Sequence, residues 1–245
     1  MPPDSLIFDK SEIQRKLFAL DSPKRIKLKG DEFFTKSAIL FTIIRNDTHP
    51  YKLLLIHRTD RGTKHRNEIS FPGGRHEPET DVSLIDTAIR EAMEEIGVSR
   101  TDVEILGCMH DFPTLTRYII TPIIGVINKN QRFCKQETEV RRILKIPIDY
   151  FADKHNFNER LFIINHKKFP VYYYNYFDEV QKRIYTIWGA TAHMIQEFLH
   201  HIYSVQLSES GIKRFTIEKI KNLKNNLKFK RKLSNGFNPQ KDKQK

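Results

Sequence analysis

The chain has 245 residues, of which 39% are hydrophobic and 29% charged, so it can bury one ordinary core and still carry an appendage. Its net charge of +12 at pH 7 is concentrated in residues 206–245, which hold 12 Lys or Arg and only three acidic residues. Two cysteines (Cys108 and Cys134), no signal-peptide pattern and no apolar run of about 18 residues argue against a disulfide-stapled secreted domain or a transmembrane helix, so we expect a soluble, cytoplasmic protein.

Periodic and alternating apolar residues predict helices that alternate with strands. A short helix is predicted at 11–20, a second begins after Ser83 and ends at Gly97, and a last one covers 187–202. The strands are predicted at 37–44, 52–57, 103–109, 118–127 and 142–148. Elements in this order are typical of an α/β sandwich around a mixed sheet.

The basic C-terminal tail, residues 206–245, is predicted to form a short helix over 212–220 and then a disordered end. We therefore divide the chain into a helical lead-in (1–30), a main domain (31–205) and this tail. Clustered lysines can bind RNA or an anionic membrane by releasing counterions. We favour the alternative that the tail serves solubility, so nucleic acid is not the expected partner.

The helix after Ser83 carries three carboxylates, Glu91, Glu94 and Glu95, in one sector of its surface at about 100° per residue. The apolar residues predicted to face the core lie on the opposite side: Ile85, Ile89, Met93 and Ile96. Like charges in such a cluster repel, so a divalent cation with oxygen ligands, Mg²⁺ or Mn²⁺, is expected there. A solvated acidic surface is the alternative interpretation, but the preceding Gly73-Gly74 loop permits close approach of a phosphate or metal.

The pattern from Gly74 to Arg90-Glu91-x-x-Glu94-Glu95-x-Gly97 resembles the Nudix box, the loop–helix signature of hydrolases that cleave a nucleoside diphosphate linked to another moiety. The resemblance implies the Nudix-type α/β/α sandwich. The usual box places a Glu six residues after its Gly, where this chain has Thr80, and the interval from Gly74 to Arg90 is two residues longer than usual.

Four segments are most similar to the coenzyme A diphosphatase subfamily, over roughly residues 37–202. They are Leu54 to Gly74, the loop from Glu77-Pro78 to Asp81, the segment 111–122, and Ile187-Trp188-Gly189-Ala190-Thr191-Ala192. The chain departs from the subfamily at Thr59, Thr63 and Asn67, where Ser, Arg and Gly are expected. These departures leave the identity of the substrate open.

The resemblance implies specific roles for residues of the box and of its flanks. Glu91, Glu94 and Glu95, with the Gly74 carbonyl, would hold Mg²⁺ or Mn²⁺. The catalytic residues would be Glu91, as acceptor of the proton from water, Glu94, and Arg90, which would orient the carboxylates. Candidate substrate-binding residues are Arg58, Gly73, Gly74, Lys64 and Arg66. Arg58 has a second interpretation, an ion pair with the helix.

The leading hypothesis is hydrolysis of coenzyme A or acyl-coenzyme A. The alternatives are a Nudix enzyme for ADP-ribose, NADH, a nucleotide sugar or an RNA 5′ end, and a non-catalytic binding module of the same fold. The tyrosine run 172–176 fits either a ring stacked on a nucleobase or alternating burial in a hairpin. Trp188 is interpreted as a packing residue rather than a ligand contact. The oligomeric state is left open.

Overall fold

The computed structural model describes residues 6–30, 32–45, 50–60, 67–164, 167–209 and 211–225. Its helices are α1 (Lys10–Lys16), α2 (Leu84–Ile96), α3 (Ile148–Ala152), α4 (Gly189–Tyr203) and α5 (Ile217–Asn225). Its strands are β1 (Thr35–Arg45), β2 (Lys52–Arg58), β3 (Ile69–Ser70), β4 (Gly73–Arg75), β5 (Val103–Cys108), β6 (Phe112–Pro113), β7 (Tyr118–Asn128), β8 (Val140–Pro147), β9 (Phe157–Ile164), β10 (Lys167–Asp178) and β11 (Arg183–Trp188).

The central sheet has eight strands, and its main path runs β3-β2-β1-β7-β5. The strands β1 and β7 pair in parallel over eleven residues each, from Thr35 opposite Tyr118 to Arg45 opposite Asn128, whereas the other pairs are antiparallel. The short strand β4 pairs with β1 and places Gly74 opposite Ala38. The mixed sheet that the sequence predicts is therefore present.

Strand β1 is buried on both faces from Ser37 to Ile44, and this is why Ala38 to Ile44 is apolar except at Thr42. Its even-numbered residues, Ala38 and Leu40, pack in one core cluster with Ala88 and Ala92 of α2. The odd-numbered residues, among them Ile39 and Phe41, belong to a second cluster with α4, in which Phe41 lies 4.6 Å from Phe198 between ring centroids. The sheet thus lies between two helices, which confirms the predicted α/β/α sandwich.

A second, three-stranded antiparallel sheet of β11-β10-β9 lies before α4 and was not among the predicted strands. Burial alternates along β10: Tyr172 and Tyr174 are buried, whereas Tyr173 and Tyr176 are half-buried. The Tyr174 hydroxyl donates to the Phe151 carbonyl oxygen at 2.9 Å. Alternating burial in a hairpin therefore describes the tyrosine run.

Both ends of the described chain pack onto the main domain. The first helix, α1, ends at Lys16, four residues before the predicted boundary, and Leu6, Ile13 and Leu17 belong to the α4-side core. Helix α5 begins later than predicted, at Ile217, and Ile220 is 2% exposed in a small cluster with Phe34 and Ile119. The tail after residue 225 lies outside the described residues.

No helix among the described residues is both long enough and apolar enough to span a membrane.

Candidate active site

Helix α2 is positioned by its two ends as the sequence predicts. The Ser83 hydroxyl oxygen accepts from the Asp86 backbone N–H at 3.3 Å and donates to the Asp86 carboxylate at 2.8 Å. At the other end Gly97 adopts the left-handed conformation at φ 70°, and its N–H donates to the Met93 carbonyl oxygen. The carboxylates of the box therefore stand at defined positions over the sheet.

The prediction of which α2 side faces the core is partly wrong. Ile89 and Ile96 are buried and Ile85 is half-buried, but Met93 is 48% exposed. Conversely, Glu95 is 1% exposed. The small side chains of Ala88 and Ala92 let the helix lie close on the sheet, and this contact turns the Glu95 side inward and the Met93 side outward.

The buried Glu95 carboxylate is held from β2 and β4. Arg58 Nη1 donates to its Oε1 at 2.5 Å, and the Gly73 N–H donates to its Oε2 at 2.9 Å. Burial nevertheless raises the pKa of Glu95 to about 7, because removal of the carboxylate from water outweighs the Arg58 charge. Arg58 therefore forms an ion pair with the helix, which is one of the two roles predicted for it.

Arg90 is fixed by a carboxylate that precedes the helix. Its Nε and Nη2 donate to the two Asp81 oxygens at 2.9 and 3.1 Å, and Nη2 also donates to the Arg75 carbonyl oxygen at 3.0 Å. The Thr87 hydroxyl donates to Asp81 at 2.9 Å, and these bonds hold the Asp81 pKa well below its usual value. Asp81 is therefore the acidic partner of Arg90, and it lies one position after Thr80, where the usual box has its Glu.

Glu91 and Glu94 flank the Arg90 guanidinium. Nη1 of Arg90 donates to Glu91 Oε1 at 3.0 Å and lies 3.4 Å from Glu94 Oε1. The Glu91 carboxylate packs on β4 so closely that a Cβ at Gly74 would overlap it. Partial burial raises the pKa of Glu91, with Glu94 contributing in the same direction, whereas the Glu94 side chain is 59% exposed.

The donor set fits a hard divalent cation in its chemistry, because all three side chains offer carboxylate oxygens, the ligands that Mg²⁺ and Mn²⁺ prefer. Glu91 and Glu95 are buried without a full counter-charge, and such a cation would supply the missing positive charge. Among the described residues, no three Asp, Glu, His or Cys side chains lie close enough together to hold one metal ion. Each Glu95 oxygen retains a lone pair beyond its bond to Arg58 or Gly73.

A cavity of about 630 Å³ adjoins this carboxylate cluster. Its lining includes Arg58, Gly73, Gly74 and Arg75, which contact the carboxylates or Arg90. Phe112, Tyr172, His193 and Phe215 are among the residues that line the rest. A volume of this size suits a ligand of nucleotide dimensions.

The structure brings together most of the predicted site residues. Arg58, Gly73, Gly74, Arg90, Glu91, Glu94 and Glu95 form one connected set. Lys64 and Arg66 lie outside the described residues. Trp188 is half-buried and lines the cavity.

Sequence reasoning missed three residues that the structure places at this site. Asp81 was noted only as part of the resemblance, although a carboxylate nine residues before Arg90 was a usable signal. His193 and Phe215 had no signal in the sequence, because one lies within an apolar helix and the other in the basic tail.

Comparisons with known proteins point to one family. A family model described as the NUDIX domain matches residues 34–141. The chain is 33% identical over 153 residues to a protein of Yersinia pestis (strain Pestoides F) named uncharacterized Nudix hydrolase NudL, and the match covers 61% of this chain and 72% of that protein.

Two solved structures are more distant. The NUDIX domain of Shewanella oneidensis NrtR, complexed with ADP ribose, is 18% identical with a TM-score of 0.37, over 58% of this chain and 84% of that chain. An Ap4A hydrolase of C. elegans in a binary complex is 15% identical with a TM-score of 0.38, over 47% of this chain and 81% of that chain. Neither likeness informs on the substrate of this chain.

Proposed function

Because this chain belongs to the family of Nudix hydrolases, which act on nucleoside diphosphate derivatives, we propose that its substrate is coenzyme A or an acyl-coenzyme A. The products are 4′-phosphopantetheine, or its acylated form, and adenosine 3′,5′-bisphosphate. The oxygen of a water molecule forms a bond to one phosphorus atom, and the bond from that phosphorus to the bridging oxygen breaks.

One observation carries the proposal of this substrate. Three segments that resemble the coenzyme A diphosphatase subfamily are far apart in the chain, yet all of them line the same cavity. They contribute Ile69 to Phe71 with Gly73 and Gly74, the residues around Phe112 and Pro113, and Trp188 to Thr191. If these segments resembled the subfamily only in residues needed for folding, they would not be expected to line the same cavity.

The residues divide the chemistry as follows. Mg²⁺ or Mn²⁺, held by Glu91, Glu94 and Glu95 with the Gly74 carbonyl, would supply positive charge to the diphosphate and acidify the attacking water. Glu91 accepts the proton of that water, since its carboxylate lies against Gly74, a residue that lines the cavity. Arg90 holds Glu91 in place from the Asp81 side, and Arg58 neutralises Glu95.

The test is a panel of coenzyme A, NADH, ADP-ribose and dinucleoside polyphosphates, incubated with the protein and Mg²⁺ or Mn²⁺. We expect adenosine 3′,5′-bisphosphate from coenzyme A at the highest kcat/KM. We expect Glu91→Gln to lower kcat at least about 100-fold, a usual effect of losing a general base. Glu79→Gln, an exposed carboxylate in the preceding loop, is the matched control and should retain activity.

Turnover of another compound with none of coenzyme A would refute the substrate but leave the Nudix activity intact. The departures at Thr63 and Asn67 favour this second candidate, a Nudix hydrolase for ADP-ribose, NADH, a nucleotide sugar or an RNA 5′ end. Its RNA form depends on the tail. It is contradicted if deletion of residues 226–245, which include seven Lys or Arg, leaves RNA affinity unchanged at every salt concentration.

A further inference from the structure

The segment that precedes α5 forms part of the cavity wall. Residues 211–216 have no regular secondary structure, and we call them the strap. Phe215 of the strap lines the cavity. Its ring centroid lies 5.8 Å from that of Phe112 in β6 and 5.7 Å from that of His193 in α4. The strap therefore joins the part of the wall formed by β6 to the part formed by α4.

The two ends of the strap differ in how firmly they are held. At the C-terminal end, α5 is anchored by Ile220, which is 2% exposed and packs with Phe34 and Ile119. At the N-terminal end, Gly211 has φ +70°, and nothing in the described part of the chain lies within 4 Å of a Cβ built there. A glycine in open space can change its dihedral angles without displacing a neighbour, which is what a hinge requires.

An ion pair holds the strap to α4. Arg214 Nη2 lies 2.6 Å from Glu197 Oε1, and the Glu197 side chain is 8% exposed whereas that of Arg214 is 40% exposed. Although the two atoms are close, Glu197 Oε1 receives no well-aligned hydrogen bond within the described residues. Burial raises the pKa of Glu197, because the Arg214 charge offsets only part of the cost of removing the carboxylate from water. An ion pair with this balance of attraction and desolvation adds little net free energy, so it can open and form again.

The other contacts of the strap can also be broken without unfolding the domain. The Tyr172 hydroxyl donates to the Gly211 carbonyl oxygen at 3.3 Å, which is long for a hydrogen bond, and Phe215 is only half-buried. Much of the remaining wall belongs to β1, β4 and α4, whose backbones are hydrogen-bonded within the sheet or the helix. The strap can therefore move while these elements stay in place.

Closure of a segment over a bound substrate excludes water from the reaction and holds the substrate in position. We propose that the strap is a gate of the substrate cavity, which turns about Gly211 to admit and release ligands and is latched in the closed form by Arg214 and Glu197. The gate does not depend on which diphosphate the enzyme hydrolyses, so this inference goes beyond the proposed function.

Trp188 reports on the gate without any substrate, because it is the only tryptophan of the chain and lines the same cavity. Acrylamide, a small neutral quencher, measures how freely a solute reaches it. We expect Arg214→Gln to raise the quenching constant at least about twofold, since an unlatched strap is open for more of the time. Arg214→Lys keeps the charge and should stay near wild type. Lys182→Gln breaks an exposed ion pair with Glu179 between β10 and β11, and as the matched control it should leave quenching unchanged.

Binding rates distinguish a gate from a fixed wall. The probes are adenosine 5′-monophosphate and adenosine 3′,5′-bisphosphate, which contain no diphosphate to hydrolyse, and stopped-flow fluorescence of Trp188 follows their association and dissociation. We expect Arg214→Gln to raise both rate constants at least about threefold while Kd changes less than about twofold, because a gate controls passage in both directions. A fixed wall that contacts the ligand would instead change the dissociation rate constant and Kd together.

Unchanged acrylamide quenching in Arg214→Gln would overturn the inference, and so would a rise in the dissociation rate constant alone. Thermal melts check that the variant is folded. Glu197→Gln removes the latch from the other side with the same side-chain shape, so it should reproduce both effects, and it replaces Arg214→Gln if that variant is unfolded. Failure of the proposed function is a separate result, namely no hydrolysis of any diphosphate by the wild-type protein.

Discussion

Arg90 is the best-connected side chain of the candidate site. It binds Asp81 through two nitrogens, and it also contacts the Arg75 carbonyl and the Glu91 carboxylate. The Asp81 side chain is 2% exposed, so removal of its charge would take from Arg90 its buried, two-point partner and leave only the ionic contacts to Glu91 and Glu94. The acid before the helix is therefore as much a part of the site as the acids on it.

We expect Asp81→Asn to lower the free energy of unfolding by about 1–3 kcal/mol, because a partly buried guanidinium loses its bidentate partner. Thr80→Val, at the position where the usual box has its Glu, should change it by less than about 0.5 kcal/mol, as exposed substitutions usually do. Urea denaturation at pH 7 measures both. A larger loss for Thr80→Val than for Asp81→Asn would contradict the assignment.

The same pair predicts a pH dependence. The pKa of Asp81 is depressed in the folded protein, so its contribution to stability is complete above the usual value of about 4 and is lost as the pH falls below it. The stability difference between wild type and Asp81→Asn should therefore be constant from pH 5 to 7 and narrow below about pH 4.

At the scale of elements, α2 depends on the glycine at its end. Gly97 and Gly211 both have φ near +70°, but a Cβ at Gly97 would lie 2.8 Å from the Cys134 carbonyl oxygen, whereas nothing lies within 4 Å of one at Gly211. We expect Gly211→Ala to cost about 1 kcal/mol for the backbone conformation alone. Gly97→Ala should cost roughly 2–3 kcal/mol, since it adds a steric overlap. Chemical denaturation of the two variants compares them, and equal losses would show that the Cys134 contact is unimportant.

The elements best predicted from sequence are those whose signals are local. Helix α2 has a capping serine, an apolar period and a terminal glycine, and all three are where the structure uses them. Strands β3, β4 and β6 have two or three residues each, too few to show a period, and they exist because longer strands pair with them. The side of α2 that faces the sheet was misjudged because two alanines, rather than the larger Met93, make the contact.

The part of the candidate site that could be predicted is likewise the part whose signals are local in the sequence. Its acidic residues share one helix, so their spacing is visible in the sequence, and the structure keeps them together with Arg58 and Gly73. The aromatic residues that line the cavity come from segments around residues 112, 172, 193 and 215, and nothing local marks them as neighbours. The aromatic residues of the cavity wall could therefore not be predicted from the sequence.

At the scale of the whole molecule, the C-terminal 40 residues comprise a segment that packs on the domain and a lysine-rich remainder. Residues 211–225 pack on the domain through Ile220 and Arg214, whereas the lysine-rich remainder lies outside the described residues. We expect deletion of 226–245 to change the melting temperature by no more than about 2 °C. Deletion of 211–245 should lower it by several degrees, since it exposes Phe34 and Ile119 and leaves Glu197 unpaired. Thermal melts of the two truncated proteins test this, and equal melting temperatures would contradict it.

The parallel pairing of β1 with β7 has a consequence for how the protein comes to be folded. The partners Thr35 and Tyr118 are 83 positions apart in the chain, so the middle of the sheet cannot close until most of the domain has been synthesised. Until then strand β1, in which six of the seven residues from Ala38 to Ile44 are apolar, has no partner on its β7 side. Contacts between residues far apart in the chain slow folding and prolong the exposure of apolar segments. The nascent chain is therefore expected to fold late and to need protection from aggregation until β7 has been synthesised.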